Sequence, residues 1–334
     1  MKKHLLLFPL ALLIAIASGT TTQVIGQSPS NDNYLAASRM HYKNTAWNAV
    51  RDHLISGAGA CRYGYFGQTI SFPACSGGVR NAWANYVGHS SRYQSSLTGS
   101  DWKLTGNGVQ LGTDFFRTSR FQLGTHFSYE NSQGSNREDR IHGKDYSIGM
   151  YGVYVCDNGI DFRTVFSYGW QNFNSQRNNS VMAFDGNTME VNLELGKRHY
   201  ACGWSSRPSF ALDWSKSILH GGQEAGGITY DKIDHSQLLF RFGTDLRYDW
   251  GPLMFDSGLY YSYDMLGNEL RSGTTSGTLV GSTLGRSMIS YNLGGSWIVN
   301  SKLTIFGGYR GEYAPESAGK GCVNIGYVGG ALRW

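Results

Sequence analysis

A chain of 334 residues can hold one large or two ordinary domains, and this one devotes 45 positions to glycine and 14% to aromatics while holding charged residues to 16%. That charge content lies well below the roughly 25% usual for a soluble enzyme, while a mean hydropathy of −0.33 excludes a bundle of membrane helices. Setting aside Lys2 and Lys3 lowers the net charge from +5 to +3 (5 − 2), too small an excess to imply a nucleic-acid partner.

The chain opens on "MKKHLLLFPLALLIAIASG": a basic start, an apolar run from Leu5 to Ala17, then small polar residues. The run is about 13 residues, short of a membrane span, so residues 1–26 are expected to be a signal peptide cleaved after Gly26. Export places the five cysteines in an oxidising compartment. Cys61 and Cys75, with 13 residues between them, are expected to close a small loop. Cys156, Cys202 and Cys322 are scattered, and no C-x-x-C spacing suggests a metal site. No cofactor is expected. Within the N-terminal region 27–80, "NTAWNAVRDHLISGAG" carries an N-cap at Asn44 or Thr45 and an apolar face of Ala46, Trp47, Val50 and Leu54. Gly57 stops it, which predicts a short α-helix over 45–56.

From Ala82 the hydrophobic period changes to two. "QLLFRFGTDLRYDW" sets Leu238, Phe240, Phe242, Leu246, Tyr248 and Trp250 against Arg241, Asp245, Arg247 and Asp249. "SMISYNLGGSWIV" and "LTIFGGYRGEY" alternate in the same way, as does "FQLGTHFSYE". Twelve such segments are expected, near 82–89, 107–117, 120–130, 144–156, 160–172, 188–198, 205–216, 237–250, 252–264, 287–299, 302–313 and 321–334. They are longer than the strands of soluble sheets and match the ten or so tilted residues that cross a bilayer. Connections alternate between tight ("TS", "DNG", Gly251, "NS") and long, such as "SQGSNREDRIHG". Tyr168, Trp170, Trp214, Tyr248, Trp250, Tyr261 and Tyr263 cluster at strand ends as an aromatic girdle would. The reading is all-β: a 12-stranded antiparallel transmembrane β-barrel over 81–334, preceded by the short helix. Arg117 and Lys197 fall on its apolar face, at strand ends on the short-turn side.

The other parity collects charge. Its pore-lining set is Arg163, Glu190, Glu194, Arg198, Arg241, Asp245, Arg247, Asp256, Arg310 and Glu312, with Asp161, Arg207, Asp213 and Asp249 on the same face. Because acids and bases interleave, they are expected to pair across strands and satisfy a hydrated interior; a selectivity-tuning constriction is the sharper alternative. His126, His220 and His235 sit among many serines, but no G-x-S-x-G, H-E-x-x-H or Walker pattern appears, so no catalysis is expected.

Several stretches together resemble the translocator domain of autotransporters. "NAWANYVGHSSRY" looks like that family's first strand, "GNGVQLGTDFFRTSRFQLGTHFSYENS" like its second and third. "DYSIGMYGVYVCDNGIDFRTVFSYGWQNFNSQR" follows its next hairpin, including the basic Arg177. "RPSFALDWSKS" and "GQEAGG" are similar to its proline-containing strand and glutamate-glycine motif, with the glutamate at Glu224. The resemblance implies an outer-membrane barrel whose pore is crossed by a helix leading to a secreted passenger; residues 45–56 would be that helix, either in the pore or capping its mouth. Only about 50 residues separate the signal from the first strand, so little or no passenger is expected, and segment 57–81 is longer than the family's usual junction. A porin-like diffusion channel and a surface-adhesive barrel are the alternatives. The chain ends on "GCVNIGYVGGALRW", where Val328, Leu332 and the terminal Trp334 share one parity, resembling the signal read by barrel-assembly machinery. Expected partners are that machinery, periplasmic chaperones and outer-membrane lipid; oligomeric state is left open.

Overall fold

The computed structural model describes residues 81–334 apart from 95–100, 119, 137–138, 157, 178–179, 224–228, 267–268, 275–276, 283–285 and 316–320. The signal peptide, the helix at 45–56, the Cys61–Cys75 loop and Glu224 lie outside the described residues.

Alternating sequence becomes extended chain: β1 (Asn81–Gln94), β2 (Asp101–Arg117), β3 (Phe121–Ser135), β4 (Asp139–Val155), β5 (Ile160–Arg177) and β6 (Ser180–Lys197). There follow β7 (Trp204–Leu219), β8 (Ile233–Trp250), β9 (Leu253–Asp264), β10 (Ser287–Ile298), β11 (Leu303–Ala314) and β12 (Gly321–Arg333). Each pairs antiparallel with its sequence neighbours, and β12 pairs back onto β1 from Asn81↔Arg333 to Tyr93↔Gly321. The ring is closed, so no strand edge is exposed to a medium that cannot hydrogen-bond it.

The tight connections all lie at one end. Cys202 and Gly203, both at positive φ (49° and 83°), form the two-residue turn between the short strand His199–Ala201 and β7, as the twist of a hairpin favours. Gly251 (φ 57°) makes the β8–β9 turn with Pro252.

At the other end the strands run well past the expected boundaries. β4 spans 17 residues, and at a tilt of ~45° that is a rise of about 40 Å against a hydrocarbon core of about 30 Å. The stretches expected as long loops are largely hairpin ribbon. β5 and β6 stay paired to Arg177↔Ser180, and a separate hairpin joins Glu269–Thr274 to Gly277–Ser282. Past the lipid the ladder simply continues, which keeps these backbone groups paired with one another.

A second departure is local. A register shift between Asp114 and Phe116 lets Phe115 and Phe116 both face out, at 48% and 49% exposure. The bulge returns Arg117 to the interior face, where its guanidinium meets Asp114 at 3.3 Å. The sequence reading of Arg117 as a lipid-side charge is thereby corrected: one extra residue in the strand inverts every side chain after it. Lys197 does point outward, at the short-turn end.

Polarity changes along the strands. Over the middle and the short-turn half the outward residues are apolar (Phe127, Ile148, Met150, Phe166, Leu193, Phe242, Leu259) and exposed. Toward the long hairpins the outward residues become Lys103, Asn131, His142, Lys144, Asn172 and Asn174. There the inward side supplies buried Trp102, Leu104, Ile141, Phe173, Met182 and Phe184.

Candidate functional site

All the pore-lining residues expected on strands occupy the inward parity; Arg198 stands in the short connection after β6. The structure gathers four of the ten into one lattice around Arg207, which is 1% exposed. Arg207 donates from Nε to both Asp161 oxygens (3.1 and 2.9 Å) and from Nη1 to Glu194, and lies 3.8 Å from Asp245. Arg163 contacts Asp161 at 2.9 Å and Glu194 at 3.5 Å. Arg241 reaches Glu194 at 3.3 Å and Asp213 at 3.2 Å, with its guanidinium 5.5 Å from the Tyr260 ring centroid. Tyr260 in turn donates to Asp245. Four bases and acids of the expected set (Arg163, Glu194, Arg241, Asp245) thus belong to a single network, consistent with the rule that buried charges are paired.

The remainder stand apart. Arg247 pairs with Asp249 at 3.3 Å, and Arg310 with Glu312 at 2.8 Å, each along its own strand rather than across strands. Asp256 lies against Gly294 beside Tyr327. Glu190 belongs to a smaller recess higher in the lumen, shared with Ser128, Glu130, Asp145 and Gln171.

A geometric rule underlies these contacts. Arg207 of β7 can touch Asp161 of β5 only because Gly196 of β6 lies between them, and a Cβ there would overlap the guanidinium. Arg241 reaches Glu194 across Ala211, which is in register with both. His126 of β3 meets Ser167 of β5 at 3.1 Å across Gly149, again in register with both. His89 of β1 meets Glu130 of β3 at 2.9 Å, crowding Gly106 of β2. A small inward residue therefore marks a place where strands two apart are stitched together over the strand between.

Sequence reasoning missed a second network near the short turns of β2–β3. Tyr151 donates to Asp114 Oδ1 (2.7 Å), as does Gln122 (2.8 Å), while Trp83 donates to the Tyr151 hydroxyl at 3.4 Å. Tyr151 lies over Gly124 and Trp83 over Gly112, each its register partner. A lone aromatic on the polar parity with glycine at the facing position was the available signal.

The histidines singled out for chemistry do not converge: His126 binds Ser167, His220 pairs with Asp185 on the exposed rim at 3.1 Å, and His235 is on β8. Cys156, Cys202 and Cys322 are free thiols. Val328, Leu332 and Trp334 face outward with exposures of 56, 53 and 58%, while Tyr327 and Ala331 beside them are buried. Among the described residues no group of three or more His, Cys, Asp or Glu is arranged to hold a metal.

Comparison with solved structures finds the same architecture. The translocator domain of the autotransporter NalP from Neisseria meningitidis superposes with a TM-score of 0.69 at 13% identity, over 88% of this chain and 98% of that one. The transport unit of the autotransporter AIDA-I from Escherichia coli gives 0.67 at 14%, over 92% and 100%. The β-domain of the Bordetella autotransporter BrkA gives 0.57 at 15%, over 77% and 100%. At such identities the likeness is one of fold. No curated protein matches the sequence. A family model described as autotransporter beta-domain, however, matches residues 82–310, more than half of the chain. The chain belongs to the autotransporter β-domain family and is an outer-membrane β-barrel translocator domain.

Proposed function

We propose that this barrel holds the N-terminal region of its own chain in the lumen, with the helix at 45–56 as the element that occupies the pore, and that it works as a non-enzymatic conduit and anchor. The observation that carries this is charge complementarity. Residues 27–80 contain Arg39, Lys43, Arg51, Arg62 and Arg80 against Asp32 and Asp52, a net of +3 (5 − 2). The recess on the β3–β6 wall presents Glu130, Asp145 and Glu190 to the lumen. Opposite charges facing each other in a space of reduced dielectric attract more strongly than in water, so the acidic wall is a seat for a basic segment.

Val328 and Leu332, outward on β12, and Trp334 just past its end are the surface proposed to be read by the barrel-assembly machinery. Removal of residues 1–26 by signal peptidase belongs to the same reading, as do periplasmic chaperones on the route outward. Planar-bilayer conductance tests the plug. Protein lacking residues 27–58 should conduct several-fold more than the full chain; equal conductance from both, each folded by heat-modifiable gel mobility, sinks the proposal.

A further inference from the structure

Cations on the outer surface of the wall are distributed unevenly. On one side they are matched: Lys216 of β7 pairs with Asp234 of β8 at 3.2 Å, and His220 with Asp185 of β6 at 3.1 Å. On β1–β4 the exposed Arg92, Lys103, Arg140 and Lys144 form no ion pair among the described residues. Three of them stand in one row across adjacent strands, with Arg92 opposite Lys103, Lys103 opposite Ser135, and Ser135 opposite Arg140. Lys144 lies four residues nearer the membrane than Arg140 on β4, ~13 Å along the strand. The acids do not cancel this set. Beyond the lipid-facing band, the outward parity of β1–β5 holds one acid, Asp101, against the four bases, an excess of three (4 − 1). Adding Asp185 on β6 still leaves two (4 − 2). The connections change nothing, since 95–100 and 178–179 are uncharged and Arg137 and Glu138 cancel. Glu130 and Asp145 are buried on the lumen side of the same wall.

Just membrane-ward of the patch runs an aromatic row, Tyr129 opposite Tyr146 (ring centroids 5.0 Å apart) and Tyr146 opposite Trp170. The apolar Phe127, Ile148 and Met150 follow it into the lipid band. Such rows mark the headgroup level, so the cations stand among the polar heads of the leaflet on the long-hairpin side. Between them the outward positions are carboxamides: Asn131 and Gln133 on β3, Asn172 and Asn174 on β5, all exposed. Cations spread over ~10–13 Å cannot close on one compact ion. With amides between them they match an extended head that carries phosphates on separate sugars and hydroxyls in between. We propose that the outer face of β1–β5 binds a glycolipid whose sugar head is phosphorylated, its acyl chains on the apolar band and its phosphates on Lys144, Arg140 and the Arg92–Lys103 pair. The inference concerns the outside of the wall and is independent of what the lumen holds.

The test reconstitutes the full-length protein into phosphatidylethanolamine vesicles containing a bisphosphorylated lipopolysaccharide and re-extracts it in mild detergent. Native mass spectrometry then measures the glycolipid carried by each barrel. Wild type should retain it at a fixed stoichiometry, and less at high salt. The double variants Arg140→Ala/Lys144→Ala and Arg92→Ala/Lys103→Ala should each lower retention about tenfold, the scale of two exposed charge contacts. Lys216→Ala, on the paired side, should leave it unchanged. All these positions lie on the outer surface, so the barrel should still fold, which heat-modifiable mobility checks. Vesicles carrying the dephosphorylated glycolipid, or phosphatidylglycerol in its place, separate the share of the phosphates from that of the sugars, and both lipids should be retained less. Absent retention by wild type, equal retention by both double variants, or equal retention of phosphatidylglycerol would overturn the site.

Discussion

The two ends of this barrel's interior are lined by the same parity of the same strands, yet only one of them carries the buried ion-pair lattice. Toward the short turns the inward residues are Asp161, Arg163, Glu194, Arg207, Arg241 and Asp245, tied by hydrogen-bonded ion pairs. Toward the long hairpins they are Trp102, Leu104, Ile141, Phe173 and Phe184, with the last two rings stacked at 5.4 Å. The difference is set by what lies outside the wall. Where lipid touches the outer face, apolar side chains go outward and the polar parity is left for a hydrated interior. Once the strands clear the membrane the outer face meets water, Asn172 and Lys144 take that side, and burial of apolar surface inside again becomes favourable. A strand that crosses the boundary thus exchanges its polarity without changing its register.

Substitutions can break this contrast, beginning with the charged end. Arg207→Ala would strand Asp161 and Glu194 as buried, partly uncompensated carboxylates; a loss of about 4 kcal/mol is expected, read as the drop in the urea midpoint of the refolded barrel. At the apolar end Phe173→Ala should cost about 3 kcal/mol by leaving a cavity against Phe184, with little change in ionic conductance. The boundary itself is located by a pair on one strand. Phe166→Arg, at the centre of the lipid-facing band of β5, should destabilise by about 2 kcal/mol, and Asn174→Arg, eight residues on and outward as well, by less than about 0.5 kcal/mol. Equal costs for the two would place the membrane edge elsewhere. A smaller loss than at Phe166 is expected for Gly196→Ala, which should push the Arg207 guanidinium away from Asp161 for about 1 kcal/mol, and its effect should vanish in an Arg207→Ala background.

The exchange of polarity also explains what could be read from the sequence. Strands that stay mostly within the lipid zone were legible: β9 was expected at 252–264 and runs Leu253–Asp264, and β10 was expected at 287–299 and runs Ser287–Ile298. The strands that cross were cut short. β6 was expected from 188, but Met182 and Phe184, on the inward parity, broke the apolar-out alternation and read as the start of a loop. Ile141 did the same for β4 and Leu104 for β2. In the lumen, parity identified which charges face inward, because that depends only on the period of the strand. It could not show that Arg207 is the hub, since Asp161 is 46 residues away and joins it only through the register of three strands and the gap at Gly196. Nor could it foresee the inward turn of Arg117, which depends on one bulged residue.

The pairing of β12 with β1 carries a consequence for how such a molecule comes into being. Asn81 and Arg333 meet across 252 residues of chain (333 − 81). Every other strand finds its partner locally, through hairpins, so a growing sheet can add them in order. The last seam cannot form until the final segment has been released from synthesis and delivered, and until then two open edges and a curved, half-apolar sheet persist. Joining such distant ends carries the slow logarithmic penalty of loop closure, and an unpaired edge invites association with any other extended chain. The interval before closure is therefore the dangerous one. A catalyst that templates the open edges would act on the seam between Gly321–Arg333 and Asn81–Gln94, and the ring's permanence afterwards follows from the topology, since no unpaired strand edge is left from which to unzip it.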